Sequence, residues 1–310
     1  MENKKPLLSI CIPTYNRCEC LDKTIASIVS DPHFNTEKVE LVISDNCSED
    51  NTQKVVEKYM QQYNNIIYNR NPENIRDSNF ITAIKLGNGE FLKLYNDTAL
   101  FLEGTLPFLL QTIKNNIETK PVLFFPNGSL LDKRIEEKQC NSFNEFVSTT
   151  SFYSTWIGGF GIWRDELRRL TNIERGIALQ LWQTDILFRL ASQKTVIVYN
   201  QKLVKIQNLE KKGGYNIFAV FGNNYLSLYE EYLEHNLLSR KTFKQEKKKL
   251  FRFFFLCWIK KLLVVKSDVY YFEISDAFKI LFRHYKTYAV FYLGLGYLVA
   301  YKYWYIIKKK

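Results

Sequence analysis

Short apolar runs alternate with amphipathic helical segments through the first hundred residues, and this alternation limits the folds that are open to the chain. Strands separated by helices pair in parallel, because crossover connections are right-handed and return each strand to the same sheet. Every predicted strand ends in a polar cluster, and a parallel sheet brings those ends to one edge. The sequence therefore predicts an α/β fold with a polar ligand cleft. The predicted strands span residues 7–12, 39–43, 66–68 and 91–95.

The fourth strand leads into the stretch around which the rest of the chain is arranged. Gly87 and Gly89 end the preceding helix, an aromatic and apolar strand follows, and Asn96-Asp97-Thr98 has the composition of a loop. A carboxylate at the carboxyl end of a buried strand lies where α/β folds bind ligands. An isolated aspartate at such a point more often caps a helix or closes a turn. The upstream motifs favour a ligand site for Asp97.

Charge divides the chain into two parts. Residues 239–310 carry 17 Lys and Arg against 4 acidic residues, whereas residues 1–238 carry 26 basic and 28 acidic residues. The near-neutral part is 1–238, and at 46% hydrophobic the whole chain is long enough for a sizeable core. The basic tail indicates an anionic partner, either a membrane or nucleic acid. We expect a catalytic or binding domain over residues 1–210 and a second region over residues 211–310.

Cysteine and histidine usage excludes several classes of site. The six cysteines are scattered singly and the three histidines lie far apart in sequence. This pattern argues against a disulfide framework, a histidine-rich metal site and a serine–histidine triad. The amino terminus does not have the pattern of a secretory signal, so reduced thiols in the cytoplasm are expected.

Several ordered motifs resemble those of one known family. The stretch 9–17 (SICIPTYNR) is similar to the opening strand of family 2 glycosyltransferases of the GT-A fold, and 41–52 (LVISDNCSEDNT) to their second signature. The spacing of Asn74, Asn79, Ala83 and the glycines before Glu90 resembles the third. The similarity covers residues 6–210 and is closest to bacterial enzymes that build O-antigen and capsular polysaccharides. It implies an α/β GT-A (Rossmann-like) nucleotide-sugar-binding domain, followed by a basic, aromatic-rich helical C-terminal region.

This resemblance implies a set of donor-binding residues. Pro13 and Tyr15 would line the nucleobase, with the tyrosine ring stacking on it. Asp45 and Asn46 would hydrogen-bond the base or the ribose. Arg76 is a nearby cation that would assist binding. A UDP-sugar is the donor that the family favours, although no residue here fixes the base or the sugar.

The resemblance also assigns Asp97 to the family's Asp-x-Asp motif, which holds ribose and the divalent ion that bridges the diphosphate. A hard cation with oxygen ligands, Mg²⁺ or Mn²⁺, would offset the charge of the leaving diphosphate. The motif here, however, contains one carboxylate instead of two or three. Three alternatives follow: a metal held through water and phosphate, a weaker dependence on metal, or loss of activity. Lys93 is a second nearby cation, which we interpret mainly as a surface residue.

Downstream residues complete the predicted site. Asp185 lies on an amphipathic helix where the resembled family has its catalytic aspartate. A helix-surface residue paired with Arg189 at i,i+4 is the alternative, but position and spacing favour the catalytic role. The aromatic–glycine stretch 156–165 resembles the strand that faces donor sugar and acceptor, so Trp156 and Trp163 are predicted to stack on the acceptor. The polar stretch 126–155 is expected to form loops that meet the same acceptor.

The uncharged stretch 287–301, flanked by lysines, is too short to span a bilayer but suits an interfacial helix on anionic lipid. A basic helical subdomain packed on the core is the competing interpretation. The sequence thus predicts an inverting glycosyltransferase at the inner face of the membrane, acting on a glycan or a lipid-linked acceptor. Two alternatives are a catalytically silent donor-binding scaffold and, without any supporting motif, a nucleic-acid-binding protein. No nucleic acid is expected as a partner, and the oligomeric state is left open.

Overall fold

The computed structural model describes residues 5–34, 37–209 and 212–309, and within them the chain forms two compact units. The first unit comprises Met1–Ser142, Tyr153–Ala178 and Trp182–Asn208. The second comprises Phe143–Phe152, Leu179–Leu181 and Leu209–Lys310. The predicted boundary at residue 210 lies outside the described residues. Two short segments upstream of it belong with the C-terminal residues.

The first unit alternates strands and helices, as the sequence predicts. Its elements are β1 (Leu8–Thr14), α1 (Cys18–Val29), β2 (Val39–Asp45), α2 (Thr52–Met60), β3 (Ile66–Arg70), α3 (Ser78–Leu86), β4 (Phe91–Leu94), β5 (Ala99–Phe101), α4 (Thr105–Asn116), β6 (Val122–Phe124) and β7 (Glu137–Cys140). After α5 (Phe143–Thr150), which belongs to the second unit, come β8 (Gly161–Trp163), α6 (Arg164–Arg169), α7 (Trp182–Ala191), β9 (Val196–Tyr199) and β10 (Val204–Ile206).

The main sheet has the strand order β3-β2-β1-β4-β8. Its first four strands are parallel and β8 runs antiparallel to β4. The register aligns Thr14 of β1 with Asp45 of β2, and Cys11 with Leu94 of β4. The carboxyl ends of the three central strands therefore meet at one edge. The predicted parallel sheet and its polar edge are confirmed.

A buried polar network fixes the start of β4 against β1 and β2. The Ser9 hydroxyl donates to Glu40 Oε1 at 2.6 Å and accepts from the backbone N–H of Gly89 at 2.7 Å. The Asn88 N–H also donates to Glu40 Oε1. A Cβ at residue 89 would lie 2.7 Å from the Ser9 nitrogen, so only glycine allows this approach. The network sets the register that brings the end of β4 to the sheet edge.

The expectation of loops over residues 126–155 is wrong for residues 137–155, whereas the described residues 126–136 contain no helix or strand. Residues 137–155 contain β7, which pairs antiparallel with β9, and α5, whose buried face includes Phe143, Phe146 and Val147. The polar residues that suggested loops lie on the exposed sides of these elements. A helix one turn shorter than the usual periodicity window gives too weak a pattern to recognise.

The second unit is mainly helical and its core is aromatic. Besides α5 it contains β11 (Lys212–Asn216), α8 (Ile217–Ala219), α9 (Tyr225–Glu234), α10 (Arg240–Lys249), α11 (Leu256–Ile259), β12 (Tyr270–Glu273), α12 (Ala277–Tyr285) and α13 (Ala289–Lys309). Segments with wider, π-type turns join several of these helices, at Val220–Asn224, Leu250–Phe255 and Lys260–Val264. The helical, aromatic C-terminal region is confirmed, with one parallel strand pair added to it.

The last helix, α13, has one buried face and one exposed apolar face. Phe291, Gly294 and Leu298 are buried at helical spacing. The opposite face exposes large apolar side chains, among them Leu293 at 74% and Ile307 at 73%. Lys302 and Lys308 are exposed on the same helix. Among the described residues, no helix combines the length and the apolar character needed to cross a bilayer.

Candidate active site

The carboxyl edge of the main sheet gathers buried polar residues from β1, β2 and the loop after β4. Thr14, Asp45 and Asp97 are at most 3% exposed. The backbone N–H of Asn46 donates to the carbonyl of Thr14 at 2.9 Å, so the ends of β1 and β2 continue together into their loops. This edge is where parallel α/β sheets bind ligands.

Asp97 is held from two sides. Thr14 Oγ1 donates to its Oδ2 at 3.0 Å, and Arg17 Nη1 donates to its Oδ1 at 3.0 Å. The hydroxyl of Thr24, on α1, donates to the Asp97 carbonyl at 2.8 Å. Burial raises the pKa of the Asp97 carboxyl, and Arg17 and the hydrogen bond from Thr14 oppose that rise. Both carboxylate oxygens are thus engaged, one by a residue of β1 and the other by the residue that precedes α1.

Asp45 is fully buried and orients the loop that follows β2. Its Oδ1 accepts the backbone N–H of Ser48 at 2.9 Å, and its Oδ2 accepts the hydroxyl of Tyr68 at 2.7 Å. Arg70 Nε lies 3.8 Å from the same oxygen. Burial, followed by the interaction with Asp45, raises the pKa of Tyr68. The tyrosine therefore stays a neutral hydrogen-bond donor to the carboxylate.

Asn46 fixes the loop that connects β3 to α3. Its Nδ2 donates to Asn74 Oδ1 at 2.7 Å, and its Oδ1 accepts the Ile75 N–H at 2.9 Å. Arg76, in that loop, is exposed and has a positive φ of 52°. The amide of Asn46 is therefore used by the protein itself, whereas the arginine side chain reaches solvent.

Pro13 lies in β1, and Tyr15 lies on the segment between β1 and α1. Pro13 is half-buried and Tyr15 is 41% exposed, so part of the tyrosine is accessible to a ligand. Together with Asp45, Asn46, Arg76 and Asp97, they come from segments that meet at one edge of the sheet. The geometry brings the predicted donor residues together, and their individual roles stay predictions.

The residues around Asp97 do not form a metal-ligand set. Within the described residues there is no group of three or more His, Cys, Asp or Glu side chains that could hold a metal ion. Asp97 is a single carboxylate, and its Oδ1 already forms an ion pair with Arg17. A divalent ion at this oxygen would face the guanidinium at contact distance, a repulsion on the order of several kcal/mol. The donor set therefore does not fit a protein-held Mg²⁺ or Mn²⁺.

Lys93 is fully buried, so its interpretation as a surface residue is wrong. Its ammonium donates to the backbone carbonyls of Leu94, Gly158 and Phe160. The ring of Tyr95 lies 4.2 Å from Nζ. Burial lowers the pKa of Lys93 well below its usual value. This lysine holds the glycine-containing turn before β8 against β4.

The two predicted acceptor-stacking tryptophans differ in position. Trp163 is 2% exposed, packs edge-on against Phe91 at 5.0 Å between ring centroids, and donates from Nε1 to the Pro121 carbonyl at 2.6 Å. It is a core residue at the amino end of β4, so the prediction that it stacks on the acceptor is wrong. Trp156 is half-buried beside Gly158, and its contact with the acceptor stays a prediction.

Asp185 is fully buried on α7 and carries two arginine partners. Arg175 donates to its Oδ1 from Nε at 2.8 Å and from Nη2 at 2.5 Å. Arg189 Nη1 lies 3.7 Å from its Oδ2, so the i,i+4 pair also exists. In the described part of the chain, Oδ2 has no hydrogen-bond partner. This oxygen has unused lone pairs, and the Arg175 side chain that binds Oδ1 is 34% exposed.

The first unit also contains a cavity of about 540 Å³ that none of the predicted donor residues lines. Its walls come from the end of α3, from Leu92 of β4, and from α6 and the segment after it. Lys85, Arg164 and Arg168 make its rim basic. The predicted donor residues instead lie at the open carboxyl edge of the sheet.

Sequence reasoning missed Arg17, Tyr68 and Arg175 as partners of the three buried carboxylates. Arg17 belongs to the quoted motif at the end of β1, so its position in that motif was an available signal. Tyr68 lies on β3, the strand next to β2. In the register of these strands Asp45 pairs with Arg70, and Tyr68, two residues before Arg70, is therefore close to Asp45. Nothing in the local sequence connects Arg175 with Asp185, because an irregular segment brings them together.

Comparison with known proteins agrees with this geometry. Residues 9–139 match the model of the family described as "Glycosyl transferase family 2". The chain is 37% identical over 105 residues to the abequosyltransferase RfbV of Salmonella typhimurium, which is 33% of this chain and 31% of RfbV. It is 32% identical over 108 residues to the GalNAc(5)-diNAcBac-PP-undecaprenol beta-1,3-glucosyltransferase of Campylobacter jejuni, 34% of each chain. These matches span about a third of the length of those relatives.

Solved structures resemble the chain over a greater length. S. aureus TarS 1–349 in complex with UDP-GlcNAc has a TM-score of 0.60 at 15% identity, covering 89% of this chain and 80% of that one. The mannosyltransferase PcManGT of Pyrobaculum calidifontis, in complex with GDP-Man and Mn²⁺, has a TM-score of 0.52 at 14% identity, covering 74% and 65%. At these identities the likeness shows a shared fold.

Proposed function

Because residues 9–139 form a family 2 glycosyltransferase domain on a GT-A fold, we propose that the protein transfers a sugar from a nucleotide-sugar donor to a hydroxyl group in bacterial surface polysaccharide synthesis. The observation that carries this proposal is the convergence of Thr14, Asp45 and Asp97 at the carboxyl edge of the parallel sheet. The chain also resembles TarS, whose structures include UDP and UDP-GlcNAc complexes. A UDP-sugar is therefore the first donor to test.

The proposed donor site divides into a nucleoside part and a diphosphate part. Tyr15 is proposed to stack on the nucleobase, beside Pro13. Asp45 and Asn46 support the base and ribose pocket, mainly by holding the loops that form its walls. Arg17 and Arg76 have exposed side chains near the sheet edge and supply positive charge. The similar PcManGT holds Mn²⁺, but no step here is assigned to a metal, because the residues at Asp97 do not fit one.

The proposed reaction is an inverting displacement. The acceptor oxygen forms a bond to the anomeric carbon as the bond from that carbon to the diphosphate oxygen breaks. The nucleoside diphosphate leaves with the electron pair, and Asp185 Oδ2 takes the proton of the acceptor hydroxyl. This oxygen has no hydrogen-bond partner among the described residues. The carboxylate is buried, so local rearrangement must open a path before an acceptor hydroxyl reaches Oδ2.

The acceptor is proposed to be a glycan or a lipid-linked saccharide. The name of the similar Campylobacter enzyme includes an undecaprenol-linked saccharide. The exposed apolar face of α13, with lysines beside it, suits the headgroup region of anionic lipid, because aromatic and aliphatic side chains insert while lysines meet phosphates. We therefore propose that α13 binds peripherally to the inner face of the cell membrane. Trp156 is proposed separately to contact the acceptor.

A donor panel tests the proposed activity. The full-length protein is incubated with UDP-, GDP- and TDP-sugars and with membrane-extracted acceptors, and release of nucleoside diphosphate is measured. One donor should be consumed only in the presence of acceptor, and Asp97→Ala should slow its consumption. A folded protein that consumes none of the donors but binds one of them would support the alternative of a catalytically silent scaffold.

A further inference from the structure

We propose that Arg17, held by Asp97, takes the place of a divalent cation against the donor diphosphate, so that donor binding does not require metal. The inference rests on the proposed function, since it concerns the diphosphate of a nucleotide-sugar donor. It assigns a charge-bearing contact to a residue that the family resemblance leaves without a role.

Asp97 anchors Arg17 at the sheet edge, with the arginine side chain partly exposed. Arg17 ends the segment after β1 and precedes the first turn of α1, where its carbonyl accepts the N–H of Leu21 at 2.9 Å. Its side chain is 47% exposed, although it bonds to a carboxylate that is 3% exposed. One nitrogen of the guanidinium is therefore anchored in the protein while the others face solvent at the sheet edge. An arginine fixed in this way is preorganised to bind phosphate oxygens.

Asp97 orients Arg17 and is the single carboxylate of its loop. Each of the two Asp97 oxygens accepts one hydrogen bond, Oδ1 from Arg17 and Oδ2 from Thr14, so the carboxylate orients the arginine. The loop around it, Asn96-Asp97-Thr98, has no second carboxylate, and Thr98 is buried. A site that loses metal ligands needs another positive charge, because the diphosphate gains one negative charge as it leaves. Arg17 is the arginine that Asp97 holds at this place.

Arg17 differs from the other arginines at the sheet edge in its hydrogen-bond partner. Arg70 donates to the carbonyl of Ser48 at 3.0 Å and lies near Asp45, so it supports the loop after β2. Arg76 is on the loop that Asn46 fixes, away from Asp97 in the hydrogen-bond network. Among the residues that the structure describes, Arg17 is the arginine paired with Asp97, at the family's Asp-x-Asp position.

Calorimetry with the full-length protein tests the inference. UDP and GDP, and the corresponding nucleosides, are titrated in EDTA and again with Mn²⁺. The wild-type protein should bind the preferred diphosphate with the same affinity, within about twofold, in both buffers. Arg17→Gln should weaken diphosphate binding in EDTA by about 10- to 100-fold, the usual scale for a charge-assisted hydrogen bond. Its affinity for the nucleoside should not change, and Arg17→Lys should lie between the two.

The matched control is Arg134→Gln, which removes an equally charged but 89% exposed arginine paired with Asp132; it should behave as wild type. Wild-type binding that requires Mn²⁺ would overturn the inference while leaving the proposed function intact, and this comparison needs no variant to fold. Unchanged binding by Arg17→Gln in EDTA would also overturn it. If neither diphosphate binds in either buffer, the titration is repeated with TDP, and failure of all three means that the proposed function itself is wrong.

Discussion

Replacing Lys93 with methionine should change how the stability of the protein depends on pH. Methionine keeps most of the side-chain length and removes the ammonium group. The wild-type ammonium donates to three backbone carbonyls and lies against the Tyr95 ring, and within the described part of the chain no carboxylate pairs with it. The substitution therefore removes a buried charge and leaves the carbonyls of Gly158 and Phe160 without these donors.

Two opposing energies decide the effect at neutral pH. A buried acceptor left without a partner costs about 1–3 kcal/mol, and an uncompensated buried charge costs several kcal/mol. We therefore expect Lys93→Met to change the free energy of unfolding by about 2 kcal/mol or less at pH 7. The pH dependence gives a clearer signal, because only the wild type has a proton to lose at this position.

The sign of the pH dependence follows from the lowered pKa. Burial lowers the pKa of Lys93 in the folded protein well below 10.5, so the unfolded chain keeps this proton over a range where the folded protein has lost it. Above the folded pKa, stability rises with pH and approaches its full value near 10.5. The wild type should gain up to about 1.4 kcal/mol per pH unit relative to Lys93→Met in this window.

Urea unfolding from neutral pH to about pH 10.5 measures this difference, since groups other than Lys93 and its electrostatic neighbour Cys11 titrate in the same way in both proteins. The matched control is Lys114→Met, which removes an exposed lysine on α4. Its stability should remain parallel to that of the wild type. Parallel curves for Lys93→Met as well would refute the claim that this lysine is buried with a lowered pKa.

Two further predictions concern catalysis and the membrane. Asp185→Asn should bind donor normally but transfer sugar about 10²–10⁴-fold more slowly, the usual scale for a general base; steady-state rates and donor affinity are measured together, and a near wild-type rate would exclude Asp185 as the base. Leu293→Glu should weaken co-sedimentation with vesicles containing anionic lipid, whereas Met60→Glu, at an exposed apolar position of the first unit, should not. Equal binding by both variants, or no wild-type binding at low salt, would contradict a lipid-binding role for α13.

The alternation of strands and helices was sufficient to predict the sheet, its parallel pairing and the edge where polar residues meet. These features follow from period and composition along the chain. The pairing of β8 with β4 was not predictable in the same way, and it decides where Trp163 lies. An antiparallel strand places its end at the amino edge of its neighbour, so this tryptophan contacts Phe91 in the core.

The burial of Lys93 was hidden for a related reason. A single lysine in an apolar strand normally indicates an exposed position, but β4 has neighbours on both sides and covered faces. Gly161 lies opposite Lys93 in the register, and its missing side chain leaves room for the lysine stem. The contacts of Asp185 with Arg175 depend on an irregular segment whose path no periodic pattern specifies.

Hydrogen–deuterium exchange with and without a nucleotide-sugar donor tests whether the donor binds at the carboxyl edge of the main sheet. Donor binding should slow exchange of the backbone amides in residues 13–18, 45–48 and 71–77, which form the carboxyl edge of the sheet. Protection of these residues, by a donor that the protein turns over, is the expected result. Protection confined to the cavity beside Lys85, Arg164 and Arg168 would contradict the assignment of the donor site.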